Sequence, residues 1–329
     1  MPRTALRTHG LTKKYGETVA LDSVSLTLRE GDVYGLVGRN GAGKTTFFKC
    51  VMGLAKPTAG NIEIGGESRD LGAARQRMGF MINPSFFPYL NPKENLEYLC
   101  RVKGIRIEGE VERLLGLVGL AGVKKPFKEF SLGMKQRLGI AGALLGSPPI
   151  VVLDEPVNGL DPQGIVDMRE VIRDIHAGSG TTFIISSHIL SELDLVATRF
   201  GFIEQGVLVK EISHADLHEL TKKSLAIEVD DVPAALAALK PLGFEGKADS
   251  DNNMEEEDNS GGNAREGAVM SGANVITVNG NQLVLRSGIE RSNQIARALI
   301  ESGVEVYDLH RQETTLEEYF MRLVGSRDA

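Results

Sequence analysis

The chain has no tryptophan and only two cysteines, Cys50 and Cys100, among its 329 residues. Two cysteines cannot build a disulfide framework, so the sequence reads as a protein of a reducing compartment whose thiols are small core or helix residues. Aromatic residues make up 5% of the chain. No run approaches the ~18 consecutive apolar residues that a membrane-spanning helix needs. If a membrane is involved, another chain must supply the span. The segment Met1-Pro2-Arg3-Thr4-Ala5-Leu6-Arg7 lacks the apolar stretch of a secretory signal. An excess of positive charge is missing too. The net charge of −7 argues against a general nucleic-acid binder. Much of that charge is local, because residues 246–273 hold seven acids and two bases.

What is present suffices for a packed core, with 42% hydrophobic and 25% charged residues. The length allows one large domain and a smaller one. Short alternating runs fill residues 1–30, as in Val24-Ser25-Leu26-Thr27-Leu28, and predict an antiparallel sheet with one wet face. From Val33 the pattern changes. Val33–Val37, Ile150–Leu153 and Thr181–Ile185 are short, nearly continuous apolar runs separated by helical stretches. Strands of that kind are buried on both faces, which predicts a parallel sheet wrapped by helices. Residues 92–145 read as a mostly helical lobe, with Pro92 suited to a first helical turn.

The first domain is expected to span 1–215. Residues 222–310 then read in the order βαββαβ: a strand at Ser224–Val229, a helix at Pro233–Lys240, strands at Val275–Val278 and Leu283–Arg286 across Asn279-Gly280-Asn281, a helix at Arg291–Ile300 and a strand at Val304–Leu309. This order predicts a small ferredoxin-like α+β domain. Residues 246–273 interrupt it with Gly, Ser, Asn and acids, the composition of a disordered loop. A last amphipathic helix is expected at 315–324.

Gly38-Arg39-Asn40-Gly41-Ala42-Gly43-Lys44-Thr45 matches the P-loop pattern, follows a predicted strand and opens a predicted helix. Its glycines let successive backbone N–H groups point at phosphate oxygens. Lys44 brings a point charge to the β- and γ-phosphates, the Thr45 hydroxyl suits Mg²⁺, and Thr46 is placed for the α-phosphate. Asp154-Glu155 ends the strand Ile150–Leu153, where ligands bind in parallel sheets. Asp154 is the natural Mg²⁺ partner there, and Glu155, one residue on, can orient or deprotonate an attacking water. His188 ends a third such strand, where its ring can meet the γ-phosphate. A second anion site lies in Phe130-Ser131-Leu132-Gly133-Met134-Lys135-Gln136-Arg137. Ser131 and Gly133 open a helix there, with free N–H groups and the positive helix end facing outward. One complete cradle plus a spare half-site suggests a protein that works as a pair.

In their order these residues resemble the ATP-binding-cassette (ABC) family over roughly residues 4–210. Gly38–Thr45 is similar to its Walker A motif, Ser131–Gln136 to its signature motif, and Ile150–Glu155 to Walker B with the catalytic glutamate. Gly159-Leu160-Asp161 resembles the D-loop, His188 the switch histidine, and Tyr15 the aromatic that stacks on adenine. The resemblance implies a P-loop ABC cassette: a parallel core, an antiparallel N-terminal sheet and a helical lobe. ATP and Mg²⁺ would be its cofactors. In each site Tyr15, Gly38, Asn40, Gly41, Gly43 and Lys44–Thr46 would face Ser131 and Gly133 of a second copy, with Asp161 beside them. It further implies an ATPase at the cytoplasmic face of the membrane, attached to a separate permease, with catalysis by Lys44, Glu155 and His188.

Two departures refine this picture. The signature reads Ser-Leu-Gly-Met-Lys-Gln, with Leu132 and Met134 at variant positions, and it resembles subunits of ABC-2-type exporters that confer bacitracin or lantibiotic resistance. Ser186-Ser187-His188-Ile189-Leu190-Ser191-Glu192 resembles the same subgroup. Where the family's Q-loop glutamine usually stands, this chain offers Asn83, either a shortened Mg²⁺ and nucleotide contact or a turn residue before Pro84. The aromatics of Phe86-Phe87-Pro88-Tyr89-Leu90 are either core or a docking groove for a permease helix. The competing functions are a soluble ABC ATPase of DNA repair or translation and a nucleotide-sensing module. Intact Lys44, Glu155 and His188 speak against the second. The small domain is either a regulatory ligand domain or a dimer-stabilising appendage.

Overall fold

The computed structural model describes residues 3–221, 223–248, 274–312 and 315–325. The chain forms two compact units, Met1–Leu217 with Leu316–Ala329, and His218–Thr315.

The first unit begins with β1 (Thr4–Tyr15), β2 (Thr18–Val24) and β3 (Thr27–Arg29). Both β2 and β3 pair antiparallel with β1. Its ladder with β3 shifts register between Thr4 and Leu6, and the adjacent Ala5 and Leu6 are both buried. Next come β4 (Val33–Val37), α1 (Lys44–Met52) and β5 (Ala59–Ile64), which returns to pair with β1. The chain continues through α2 (Leu71–Gln76), β6 (Met78–Met81), α3 (Pro92–Lys103), α4 (Glu110–Leu117), α5 (Leu132–Leu144) and β7 (Ile150–Leu153). The unit then adds α6 (Pro162–Ser179), β8 (Thr182–Ser187), α7 (Leu190–Asp194), β9 (Arg199–Glu204) and β10 (Val207–Ser213).

These strands build a six-stranded sheet in the order β10-β9-β4-β8-β7-β6. All of its pairings are parallel except β10 with β9. Every residue of β4, β7 and β8 is buried, as expected of strands covered on both faces. Parallel pairing brings the carboxyl ends of β4, β7 and β8 side by side, and the motifs lie there.

The helical lobe is set by caps and close packing. Asn91 caps α3 in a reciprocal box with Glu94, and Pro92 occupies the first turn. Helix α5 lies against β6 so closely that a Cβ on Gly139 would sit 2.6 Å from the Met81 sulfur. That approach fixes the helix that carries Ser131 on the sheet.

The boundary between the units falls inside α8 (His214–Thr221). The second unit contains β11 (Ser224–Val229), α9 (Val232–Leu239), β12 (Phe244–Ala248), β13 (Asn274–Asn279), β14 (Gln282–Leu285), α10 (Ser292–Glu301) and β15 (Val306–Gln312). Its sheet runs β12-β13-β14-β11-β15. Ala235 and Leu239 of α9 and Ile295 and Leu299 of α10 pack with Leu225, Ile227, Leu283 and Leu285 into one core. The four strands expected from the sequence have the ferredoxin-like order, and β12 adds a fifth, parallel to β13. Residues 246–248, expected within a disordered loop, belong instead to β12. Residues 249–273 lie outside the described residues.

The last helix expected from the sequence is α11 (Leu316–Gly325). It belongs to the first unit, where the Phe320 ring stacks 5.8 Å from Phe202 of β9 and Tyr319 meets the same ring edge-on at 6.0 Å.

Candidate functional site

The P-loop leaves β4 and turns into α1. Its last turn needs glycine at position 43, where φ is 111° and a Cβ would sit 2.8 Å from the Ala20 carbonyl. Gly38 is buried and donates its N–H to the Ser187 carbonyl at 3.2 Å, while Asn40 and Gly41 are exposed. Lys44 begins the helix with 5% of its surface exposed. Its ammonium donates to the Gly38 and Arg39 carbonyls and pairs with Glu155 Oε1 at 3.1 Å.

Asp154 and Glu155 follow β7. Both Asp154 oxygens accept hydroxyl hydrogen bonds: Oδ2 from Thr45 at 2.8 Å and Oδ1 from Ser186 at 2.7 Å. Glu155 adopts a left-handed backbone with φ 49°, sparsely populated for a residue with a side chain. Its Oε2 lies 2.8 Å from His188 Nδ1. A carboxylate only accepts, so Nδ1 donates and Nε2 is left for a further partner. The loop carrying His188 is held by Ser187, which donates to the buried Glu192 carboxylate at 2.5 Å and accepts the Ile189 N–H at 3.0 Å. Lys44, Thr45, Asp154, Glu155 and His188 thus form one connected group. It can hold a polyphosphate, offer oxygen ligands to a cation and aim a carboxylate at water.

The other expected residues lie apart from that network. Tyr15 ends β1, 49% exposed, with the Lys13 ammonium 4.7 Å from its ring centroid. Thr46 is half-buried in the first turn of α1. Asn83 is exposed beyond β6 with φ 46°, a conformation asparagine tolerates well in turns. Ser131 caps α5, accepting the Met134 N–H at 3.3 Å. Asp161 caps α6, accepting the Gly164 N–H at 3.0 Å. Leu132 reaches Gly159, so the start of α5 and the 159–161 turn are neighbours. A Cβ on Gly133 would meet nothing nearer than Leu160, at 3.7 Å, so the fold of this unit does not itself require glycine there.

The sequence reading missed Ser186 and Asn95. Asn95 is 1% exposed and stitches the 86–90 loop: its Oδ1 accepts the Phe87 N–H, and its Nδ2 donates to the carbonyls of Phe87, Leu90 and Asn91. The loop's aromatics divide between two roles. Phe86 packs inward on Phe127, 5.3 Å between centroids. Phe87, Tyr89 and Tyr98 are 47%, 78% and 44% exposed. Beside them is a cavity of about 380 Å³ lined by Ser85, Phe86, Phe87, Asn95, Tyr98 and Leu99.

A strand, phosphate loop and helix with acids at the end of a neighbouring parallel strand define a P-loop nucleoside triphosphatase. Comparison with known proteins narrows the class. Residues 21–158 match the family model described as ABC transporter. The chain is 35% identical to a bacitracin transport ATP-binding protein of Bacillus licheniformis over 326 residues, 98% of each chain. It is 40% identical to a lantibiotic transport ATP-binding protein of Streptococcus pyogenes, over 68% of this chain and 98% of that one. The dimeric cassette MJ0796 superposes with a TM-score of 0.58 at 25% identity, covering 64% of this chain and 98% of its own. The chain therefore belongs to the ABC transporter ATP-binding proteins, and it is an ATPase of the cassette fold. No described helix is long and apolar enough to cross a membrane.

Proposed function

We propose that two copies of this chain close head-to-tail around two ATP molecules and power a separate ABC-2-type permease that exports an antimicrobial peptide or similar amphiphile. The observation that carries the catalytic part is the Glu155 carboxylate, held between Lys44 at 3.1 Å and His188 at 2.8 Å at the carboxyl end of a buried strand. In this reading Lys44 binds the β- and γ-phosphates, Glu155 takes the proton of the attacking water, and His188 turns its free Nε2 toward the γ-phosphate. Backbone N–H groups of Gly38, Asn40, Gly41 and Gly43 cradle the phosphates with Thr46, and Tyr15 stacks on the base.

Thr45 Oγ1 and Asp154, 2.8 Å apart, offer oxygen donors only, which fits Mg²⁺. Bound there, the cation would neutralise phosphate charge. The side-chain amide oxygen of Asn83 would be a further candidate ligand of that cation. Ser131 and Gly133, with Asp161 nearby, complete the partner's site. Support for this comes from the open space at Gly133, which leaves room for another molecule to approach the start of α5. The exposed Phe87 and Tyr89 and the adjacent cavity suit a cytoplasmic helix of the permease, which would hold the protein at the inner membrane face. The full-length likeness to a bacitracin transport protein supports the cargo class.

Replacing Glu155 with Gln tests the mechanism. The variant should bind ATP, stop hydrolysing it and accumulate as a dimer in gel filtration, whereas wild-type turnover would remove Glu155 from the role of base. A Phe87→Ala/Tyr89→Ala variant should bind ATP normally and lose co-purification with the permease. Undiminished co-purification would move the docking surface elsewhere.

A further inference from the structure

The structure assigns Ser186 as a positioning residue that sets both carboxylates of the hydrolytic site with one hydroxyl. This rests on the reading of Glu155 as base and Asp154 as cation partner. Ser186 is fully buried near the end of β8. Register places Ile185 opposite Leu153 of β7, so Ser186 stands beside the first acid beyond that strand. On its other side Ser186 pairs with Leu36 of β4. The hydroxyl is therefore mounted on a strand braced from both flanks, the support that precise positioning needs.

A hydroxyl is both donor and acceptor, and both capacities are used. Its hydrogen goes to Asp154 Oδ1 at 2.7 Å, and its oxygen accepts the Glu155 N–H at 2.9 Å. The first bond, with that of Thr45 to Oδ2, sets the rotation of the Asp154 carboxylate. The second holds the amide of a residue kept at φ 49°, where the backbone would not rest unaided. From that backbone the Glu155 side chain reaches Lys44 and His188 together. Alanine at 186 would free the Asp154 carboxylate to turn and leave the Glu155 N–H without its acceptor. The Ser186 hydroxyl itself bonds only these two acids and none of the phosphate-loop residues.

The test uses the purified full-length chain carrying Ser186→Ala, with Thr182→Val as comparator. Thr182 is a buried hydroxyl on the same strand that accepts the Gly31 N–H at 3.0 Å. Steady-state ATPase is measured beside Mn²⁺ binding in the presence of ATP, read by electron paramagnetic resonance. Ser186→Ala should lower kcat about 10–100-fold and raise the Mn²⁺ half-saturation about tenfold, the usual cost of losing a partner that orients a metal ligand. KM for ATP should stay within about twofold, because ground-state binding by the cradle is intact. Thr182→Val should leave kcat and Mn²⁺ binding unchanged.

Ser186→Cys keeps the volume with a weak hydrogen-bonding group and should fall between wild type and alanine. It carries the test if the alanine variant fails to fold. The inference is overturned if either Ser186 variant retains wild-type kcat and Mn²⁺ affinity, or if Thr182→Val loses as much as Ser186→Ala. Glu155→Gln, assayed in parallel, separates the two readings. If it still hydrolyses ATP, the role of Glu155 is wrong. If it is inactive while Ser186→Ala is not, only the role of Ser186 is wrong.

Discussion

Replacing Asn95 with alanine should detach the aromatic loop proposed to meet the permease while leaving hydrolysis by the isolated chain intact. The magnitude follows from the bonds. Asn95 accepts the Phe87 N–H and donates to the carbonyls of Phe87, Leu90 and Asn91. Those carbonyls keep other donors, the N–H groups of Leu90, Phe127 and Asn95 itself. Only the Phe87 N–H loses its acceptor. The Nδ2 group has two hydrogens to share among the three carbonyls, so two lost donations at about 1 kcal/mol each, and one orphaned donor at about 1–2 kcal/mol, give roughly 3 kcal/mol. That is about a hundredfold rise in the population of the open loop.

Hydrogen exchange at residues 86–90 should accelerate by about that factor, and the Tm of the first unit should fall by roughly 6–12 °C for a domain of this size. ATP hydrolysis by the isolated protein should change little, since Asn95 makes no contact with the Lys44–Glu155–His188 group. Stimulation by the permease should be lost. The reasoning is refuted if exchange across 86–90 is unchanged, because the amide would then not be what holds the loop.

Three further outcomes follow from the same geometry. Gly133→Ala should fold with stability unchanged or raised by up to about 1 kcal/mol, since alanine favours a helix and its methyl meets only Leu160 at 3.7 Å; it should nevertheless abolish the ATP-driven dimer of the Glu155→Gln protein, and an intact dimer in gel filtration would contradict the proposed pairing. Tyr34 is buried and donates to Glu211 at 2.7 Å, and burial, then the Glu211 charge, push its phenol well above the ordinary tyrosine range. The folded state therefore holds this proton when the unfolded chain has released it, so this contribution is intact below pH ~10 and is lost as pH rises beyond it; Tyr34→Phe should cost about 1 kcal/mol at pH 7 and flatten the alkaline fall in urea denaturation. Burial also raises the thiols of Cys50 and Cys100, so neither should react with iodoacetamide at pH 8 until urea unfolds the protein, as mass spectrometry of the labelled protein would record.

How far the sequence could be read depended on the span of each determinant. The phosphate loop is local: a strand, a glycine-rich turn and Lys44 lie within about a dozen residues, and each type has a reason visible in the chain. The parallel core was readable because strands buried on both faces, such as Val33–Val37, are apolar throughout. The small domain's fifth strand was not, because Phe244–Ala248 contains Glu245, Gly246 and Lys247 and borders an acidic run. Only its pairing with β13 identifies it as a strand. Helix α11 has an amphipathic pattern that says an apolar face must be covered. Nothing in that pattern says that Phe202, more than a hundred residues earlier, covers it.

Ser186 and Asn95 belong to a harder case, in which the residue type is ordinary and its place is everything. Asn95 follows a proline and two charged residues on a helix and reads as one more polar surface position. Burial decides otherwise, because the chain doubles back over it and needs acceptors and donors for a loop that cannot pair with a strand. Ser186 did carry a signal: two serines follow the apolar Phe183-Ile184-Ile185 at the end of the strand, and both are wholly buried. A buried hydroxyl requires a partner. Strand alternation sends neighbouring side chains to opposite faces, so the two serines cannot share one. One reaches Asp154 and the other Glu192. Once β8 is known to pair with the strand that ends in Asp154-Glu155, a buried polar pair closing it assigns at least one hydroxyl to those acids.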